Sequence, residues 1–137
     1  MVCEMRTLDE KATVGERIRF YRRKRNMHGY TLARLVGLSR HAIMYYENSQ
    51  TEPLLEDLKK IAVALDVEAD KLYDDYYRFL DYPYGDRIKL IRTERKLYQR
   101  ELAAIIGVDR RTAEKWERGK TKVTREMWCK LKELSLI

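Results

Sequence analysis

Apolar side chains recur at helical spacing along the chain, and breakers divide them into short helices. Ile18 and Tyr21, with Phe20 beside them and Arg25 continuing the spacing, predict a first helix over about Val14–Asn26, broken by His28-Gly29. A second helix, over about Tyr30–Val36, presents Leu32, Leu35 and Val36, and Gly37 ends it as a left-handed residue. Ser39 can cap a third over about Arg40–Glu47, with Ile43 and Tyr46 facing inward. Pro53 marks a loop. Leu58, Ile61 and Leu65 share a face of a fourth helix over about Leu54–Leu65, and residues 69–73 suit a short fifth.

The pattern then starts again. Shifted by seventy residues, the chain matches itself without a gap: Gly15 on Gly85, Arg22 on Arg92, Leu32-Ala33 on Leu102-Ala103, Gly37 on Gly107, Glu47 on Glu117. Tyr46 falls on Trp116, an inward position in both repeats. Repeat two therefore predicts helices near Gly85–Lys96, Gln99–Ile106, Arg110–Arg118 and Thr124–Leu134, with Asp109 capping the third. Because core positions and glycine repeat together, the two halves should share one fold. The expected domains are 13–73 and 84–137, joined by an aromatic linker, 74–83, which either packs between them or extends the preceding helix. Repeat two reaches Ile137 with little room for a fifth helix, so Leu131, Leu134, Leu136 and Ile137 need cover from the linker, the N-terminal arm or a second chain. Trp116 and Trp128 read as core, and Glu47 and Glu117 as partners for a nearby arginine.

Charge adds a direction to this picture. The 137 residues carry net +7, a balance that suits a polyanionic partner, nucleic acid or an anionic membrane surface. Residues 84–137 hold 15 basic and 8 acidic side chains, net +7, against 11 and 8, net +3, in residues 13–73. No apolar run approaches the ~18 residues of a membrane span, and the N-terminus lacks a basic-then-apolar signal pattern. A cytoplasmic protein with no membrane partner is expected. Cys3 and Cys129 read as reduced thiols, with Cys129 packed along a helix. No metal-ligand spacing, catalytic arrangement or glycine-rich phosphate loop occurs, which argues against an enzyme and implies no cofactor.

The turns Val36-Gly37-Leu38-Ser39 and Ile106-Gly107-Val108-Asp109 each hold two short helices at a steep angle, and such a unit can lay its second helix in the DNA major groove. With Gln99, Leu102-Ala103, Gly107-Val108 and the run Trp116-Glu117-Arg118-Gly119, repeat two resembles the Xre/lambda-repressor family of helix-turn-helix proteins. Repeat one resembles it through Leu32-Ala33, Gly37-Leu38-Ser39, Tyr46-Glu47-Asn48 and Pro53. The resemblance implies an all-α chain of two tandem lambda-repressor-like domains, the second lacking a full fifth helix. It also implies a transcriptional regulator, usually a repressor, that reads the major groove with the third helix of each repeat. The departures are Gly29 where a phosphate-contacting Gln is common, Ser49 at a usual turn Gly, Tyr98 at a usual Ser/Thr cap and Val123 at a usual Pro.

By position in the family pattern, Arg110, Arg111 and Lys115 face bases, and Thr112 faces a thymine methyl or a phosphate. Gln99, Arg118, Lys120, Lys122 and Arg125 hold the backbone. In repeat one Ser39, Arg40, His41 and Tyr45 take the reading positions, Asn48 meets a phosphate and Met44 presses on a base. That surface is more aromatic, and two readings of it stay open: a DNA half-site, or contact with protein. The first makes the chain a regulator on double-stranded DNA, bacterial or phage-encoded. The second makes it an antitoxin or phage-type regulator whose first repeat grips a partner protein. Family habit favours a homodimer.

Overall fold

The computed structural model describes residues 8–137; Cys3 and the start of the N-terminal arm lie outside them. All regular structure among the described residues is helical. The chain divides into two compact units, one up to Asp74 and one from Asp75. The first holds α1 (Val14–Lys24), α2 (Gly29–Val36), α3 (Arg40–Glu47) and α4 (Leu55–Leu65), then a 3-10 turn at Ala69–Lys71. The second holds α5 (Asp75–Asp81), α6 (Tyr84–Glu94), α7 (Gln99–Ile106), α8 (Arg110–Glu117) and α9 (Arg125–Glu133).

In the first unit the Thr13 hydroxyl caps α1, accepting from the Glu16 N–H at 3.1 Å. Arg22, Arg23 and Lys24 in its last turn complement the helix dipole. The helix ends sooner than its spacing predicts. Asn26 takes a left-handed conformation, φ 53°, which its short polar side chain tolerates. The break therefore falls at Asn26, and Gly29 is the first residue of α2. Leu32, Ala33 and Val36 are buried where α2 packs on α3 and α4. Leu35, expected beside them, is 57% exposed. At about 100° per residue it points roughly 100° away from the centre of that buried arc. Between α3 and α4 the Tyr46 hydroxyl donates to Asp57 at 2.8 Å, and both residues are buried. Burial, then the neighbouring carboxylate, push the Tyr46 hydroxyl up to a pKa of about 12.

The second unit repeats this plan with Ile88, Leu102, Ile106, Ala113, Trp116 and Leu131 buried. Two expectations need correction. Trp128 is only half-buried. Cys129 is exposed, because it lies about 160° round α9 from Leu131.

The aromatic segment 74–83 has structure of its own. Residues 75–81 form a helix of their own, α5, which buries Tyr76, Tyr77, Phe79 and Leu80. The Tyr76 hydroxyl donates to the Val123 carbonyl at 2.6 Å, and its ring centroid lies 5.6 Å from that of Trp128. Phe79 stands 5.7 Å from the Tyr84 ring of α6. Its apolar positions 76, 79 and 80 follow helical spacing, so one stripe of α5 faces the second unit. Leu131 and Leu136 are buried in this unit, while Leu134 remains 41% exposed. No helix follows Glu133 among the described residues.

Candidate nucleic-acid interface

Each unit turns from its second to its third helix on a left-handed glycine. Gly37 has φ 74° and Gly107 φ 86°, a region that glycine enters without the strain a Cβ brings. The Leu38 N–H then donates to Ala33 O at 2.9 Å, and Val108 N–H to Ala103 O at 2.9 Å, which satisfies carbonyls that the helix end leaves open. Ser39 caps α3, its hydroxyl accepting from Ala42 N–H at 3.0 Å. Asp109 occupies the matching extended position before α8, but its side chain makes no capping hydrogen bond. Tyr98 cannot cap as a Ser or Thr would. The Glu101 carboxylate of α7 instead accepts from the Tyr98 N–H at 2.9 Å.

The reading helix is clamped from behind. A Cβ on Gly15 would lie 2.2 Å from Tyr46 O, and one on Gly85 2.5 Å from Glu117 O. The N-terminal turns of α1 and α6 thus pass backbone-to-backbone over the last turns of α3 and α8. An ion pair locks each crossing. Arg22 Nη2 meets Glu47 Oε1 at 2.7 Å, and Arg92 Nε meets Glu117 Oε1 at 2.7 Å, both glutamates being almost fully buried. A buried carboxylate needs its remaining lone pairs satisfied. In the second unit Gln99 does this, donating to Glu117 Oε2. Gly29 stands at that position in the first unit and has no side chain to offer. There Arg22 itself holds the second oxygen, Nε donating to Glu47 Oε2 at 2.8 Å, while Arg19 adds a longer bond to Oε1 at 3.3 Å and also donates to the Asn48 side chain. The expectation that both glutamates serve an arginine therefore holds. The part played by Arg19 has no local sequence signal, because it depends on how α1 crosses α3.

With Ala113 and Trp116 buried on its inner side, α8 turns Arg110, Arg111, Lys115 and Arg118 outward, all exposed. At about 100° per residue Arg110, Glu114, Arg118, Arg111 and Lys115 follow one another over an arc of roughly 140°. Thr112 sits half-buried at its margin. In the first unit α3 buries Ile43 and Tyr46 and turns out Arg40, His41, Met44, Tyr45 and Asn48, with Ser39 exposed just ahead of them. Met44 and Tyr45 are 44% and 42% exposed. Lys120 and Lys122 are exposed in the segment after α8.

A family model for the helix-turn-helix domain matches the chain twice, over residues 18–72 and 88–133. The chain belongs to the helix-turn-helix family. It is a DNA-binding regulator of the Xre/lambda-repressor-like type, a regulatory family and not an enzyme family. No curated protein and no solved structure matches this helix-turn-helix protein. Among its described residues no helix is long and apolar enough to cross a membrane, and no group of three or more metal-ligating side chains gathers.

Four of the residues expected to hold the DNA backbone have internal partners. Asn48 accepts from Arg19, and Arg118 pairs with Glu114. Gln99 is half-buried on Glu117. The Arg125 guanidinium lies 4.6 Å from the Tyr76 ring centroid and 5.9 Å from that of Tyr77, a cation–π arrangement that ties α9 to α5. Glu114 is a residue the sequence reading leaves out, although its spacing of four from both Arg110 and Arg118 is a signal for ion pairing along a helix. Its carboxylate lies 3.1 Å from Arg118 Nη2 and 3.8 Å from Arg110 Nη1.

Proposed function

We propose that this helix-turn-helix protein is a sequence-specific transcriptional repressor that reads the major groove of double-stranded DNA with α8 and α3, working in the cytoplasm on bacterial or phage DNA. The observation that carries this reading is the outward arc of α8, where Arg110, Arg111 and Lys115 stand exposed opposite buried Ala113 and Trp116. Arginine can grip guanine at two points in the major groove. Gln99, Arg118, Lys120, Lys122 and Arg125 then hold the phosphate backbone on either side, the four cations by charge and Gln99 by its amide, with Gln99, Arg118 and Arg125 also serving their internal partners. In the first unit Ser39, Arg40, His41 and Tyr45 read, Met44 presses on a base and Asn48 holds the backbone. The chain acts as a homodimer; light scattering that finds strict monomers, free and DNA-bound, would sink that part. Selection of bound duplexes from a random pool tests the whole. One enriched motif is expected, and its absence refutes sequence-specific reading.

A second reading has its own observation. Where α8 carries Glu114 and Lys115, α3 carries exposed Met44 and Tyr45, an apolar pair suited to a protein partner. On this reading the first unit belongs to an antitoxin or phage-type regulator. Met44→Ser with Tyr45→Ser would then leave the selected DNA motif unchanged, whereas a first unit that reads DNA loses part of it.

A further inference from the structure

The cationic arc of α8 is interrupted by one acid. Glu114 stands between Arg110 and Arg118 on the helix surface, 30% exposed, 3.1 Å from one guanidinium and 3.8 Å from the other. The matching position of α3 is Met44, so the first unit has no counterpart. A carboxylate on a surface that meets DNA is repelled by phosphate wherever the helix lands. Its single charge also offsets one of the two cations beside it, which would otherwise neutralise one more phosphate. It regains favourable contact only where a base edge offers a donor, as the cytosine amino group does in the major groove.

We propose that Glu114 is a specificity-determining residue. It penalises every complex on α8 and is relieved only on a site that places a donor, of the cytosine-amino type, opposite it. This rests on the proposal that α8 reads DNA. It predicts that the cationic arc of α8 is held back from indiscriminate binding by its own glutamate.

Glu114→Gln keeps the shape of the side chain and removes its charge. At about 0.1 M salt each further phosphate neutralised multiplies affinity roughly eightfold relative to 1 M salt, and adds roughly 0.9 to the log–log salt slope. The full-length protein and the Gln variant are titrated on the selected duplex and on a scrambled one across salt. The variant should bind the scrambled duplex about eightfold tighter, with the slope steeper by about 0.9. Its gain on the selected duplex should be smaller, so the ratio of the two affinities falls. Glu114→Ala, with helix content checked by circular dichroism, should move the ratio the same way. An unchanged ratio and slope in both variants overturns the role given to Glu114 while leaving DNA reading intact. So does weaker binding of both duplexes, which would make Glu114 an organiser of the arginines. A wild-type protein that distinguishes no duplex sinks this proposal together with the reading beneath it.

Discussion

Tyr76 tests whether α5 belongs to the second unit's core. Its side chain is fully buried, its hydroxyl donates to Val123 O at 2.6 Å and its ring leans on Trp128. Tyr76→Phe deletes only the hydroxyl and leaves a buried carbonyl without that donor, at a cost of about 1–3 kcal/mol. Tyr76→Ala also empties the space of a buried aromatic ring, which by itself costs about 3–5 kcal/mol. A small domain holds roughly 5–15 kcal/mol of stability, so the alanine variant should leave this unit close to unfolding. The assay is selective. Both tryptophans, Trp116 and Trp128, lie in the second unit, so urea unfolding followed by tryptophan fluorescence reports that unit while circular dichroism reports all helices. The expected order is wild type, then Phe, then Ala, with a clear step at each. If Tyr76→Ala costs less than about 1 kcal/mol by fluorescence, α5 is a dispensable connector and the account of core closure is wrong.

Gly85→Ala should destabilise the second unit by at least about 1–3 kcal/mol, since the new methyl meets backbone carbonyls that cannot swing aside; the same fluorescence melt measures it. Breaking the buried pair by Arg92→Ala should cost about 3–5 kcal/mol, because Glu117 stays buried without its main partner. For Tyr46 the sign follows from its raised pKa. The unfolded chain loses this proton first, so stability is full below pH 10.0 and falls as pH climbs toward about 12. Circular-dichroism melts of Tyr46→Phe should lack that share of the alkaline loss; identical pH curves for both proteins would contradict it. On DNA, Arg110→Ala should weaken binding and relax preference at one or two base pairs, by about 1–3 kcal/mol, and Arg40→Ala should do less harm. The reverse order on the selected duplex would make α3 the principal reader.

Much of the fold is legible in the sequence because its strongest signals are local. The helices Arg40–Glu47 and Gln99–Ile106 have the predicted boundaries, fixed by glycine turns and by apolar residues at helical spacing. The misreadings arise where local signals compete. Asn26, not the more conspicuous Gly29, takes the left-handed turn. Leu35 is apolar yet points outward, since composition alone cannot say which side of a short helix is buried. In α5 the pattern Tyr76, Phe79, Leu80 has helical spacing, but the helix spans only Asp75–Asp81, too short for a period of 3.6 to stand out. Of the candidate site, the cations of α8 are legible by position. The bracing of Glu47 by Arg19, and of Arg125 by the α5 rings, depends on contacts between distant segments that no periodicity encodes.

The placement of α5 separates the boundary of the sequence repeat from that of the folded unit. The sequence repeat restarts with a period of seventy residues, and by that register the second copy opens near Tyr84. The folded unit opens at Asp75, because Tyr76 and Phe79 supply core to the helices that follow them. Inheritance and folding thus divide the chain at different points. A graft cut where the repeat begins would carry the reading helix but leave behind part of what holds it; a graft cut ahead of Asp75 would carry both.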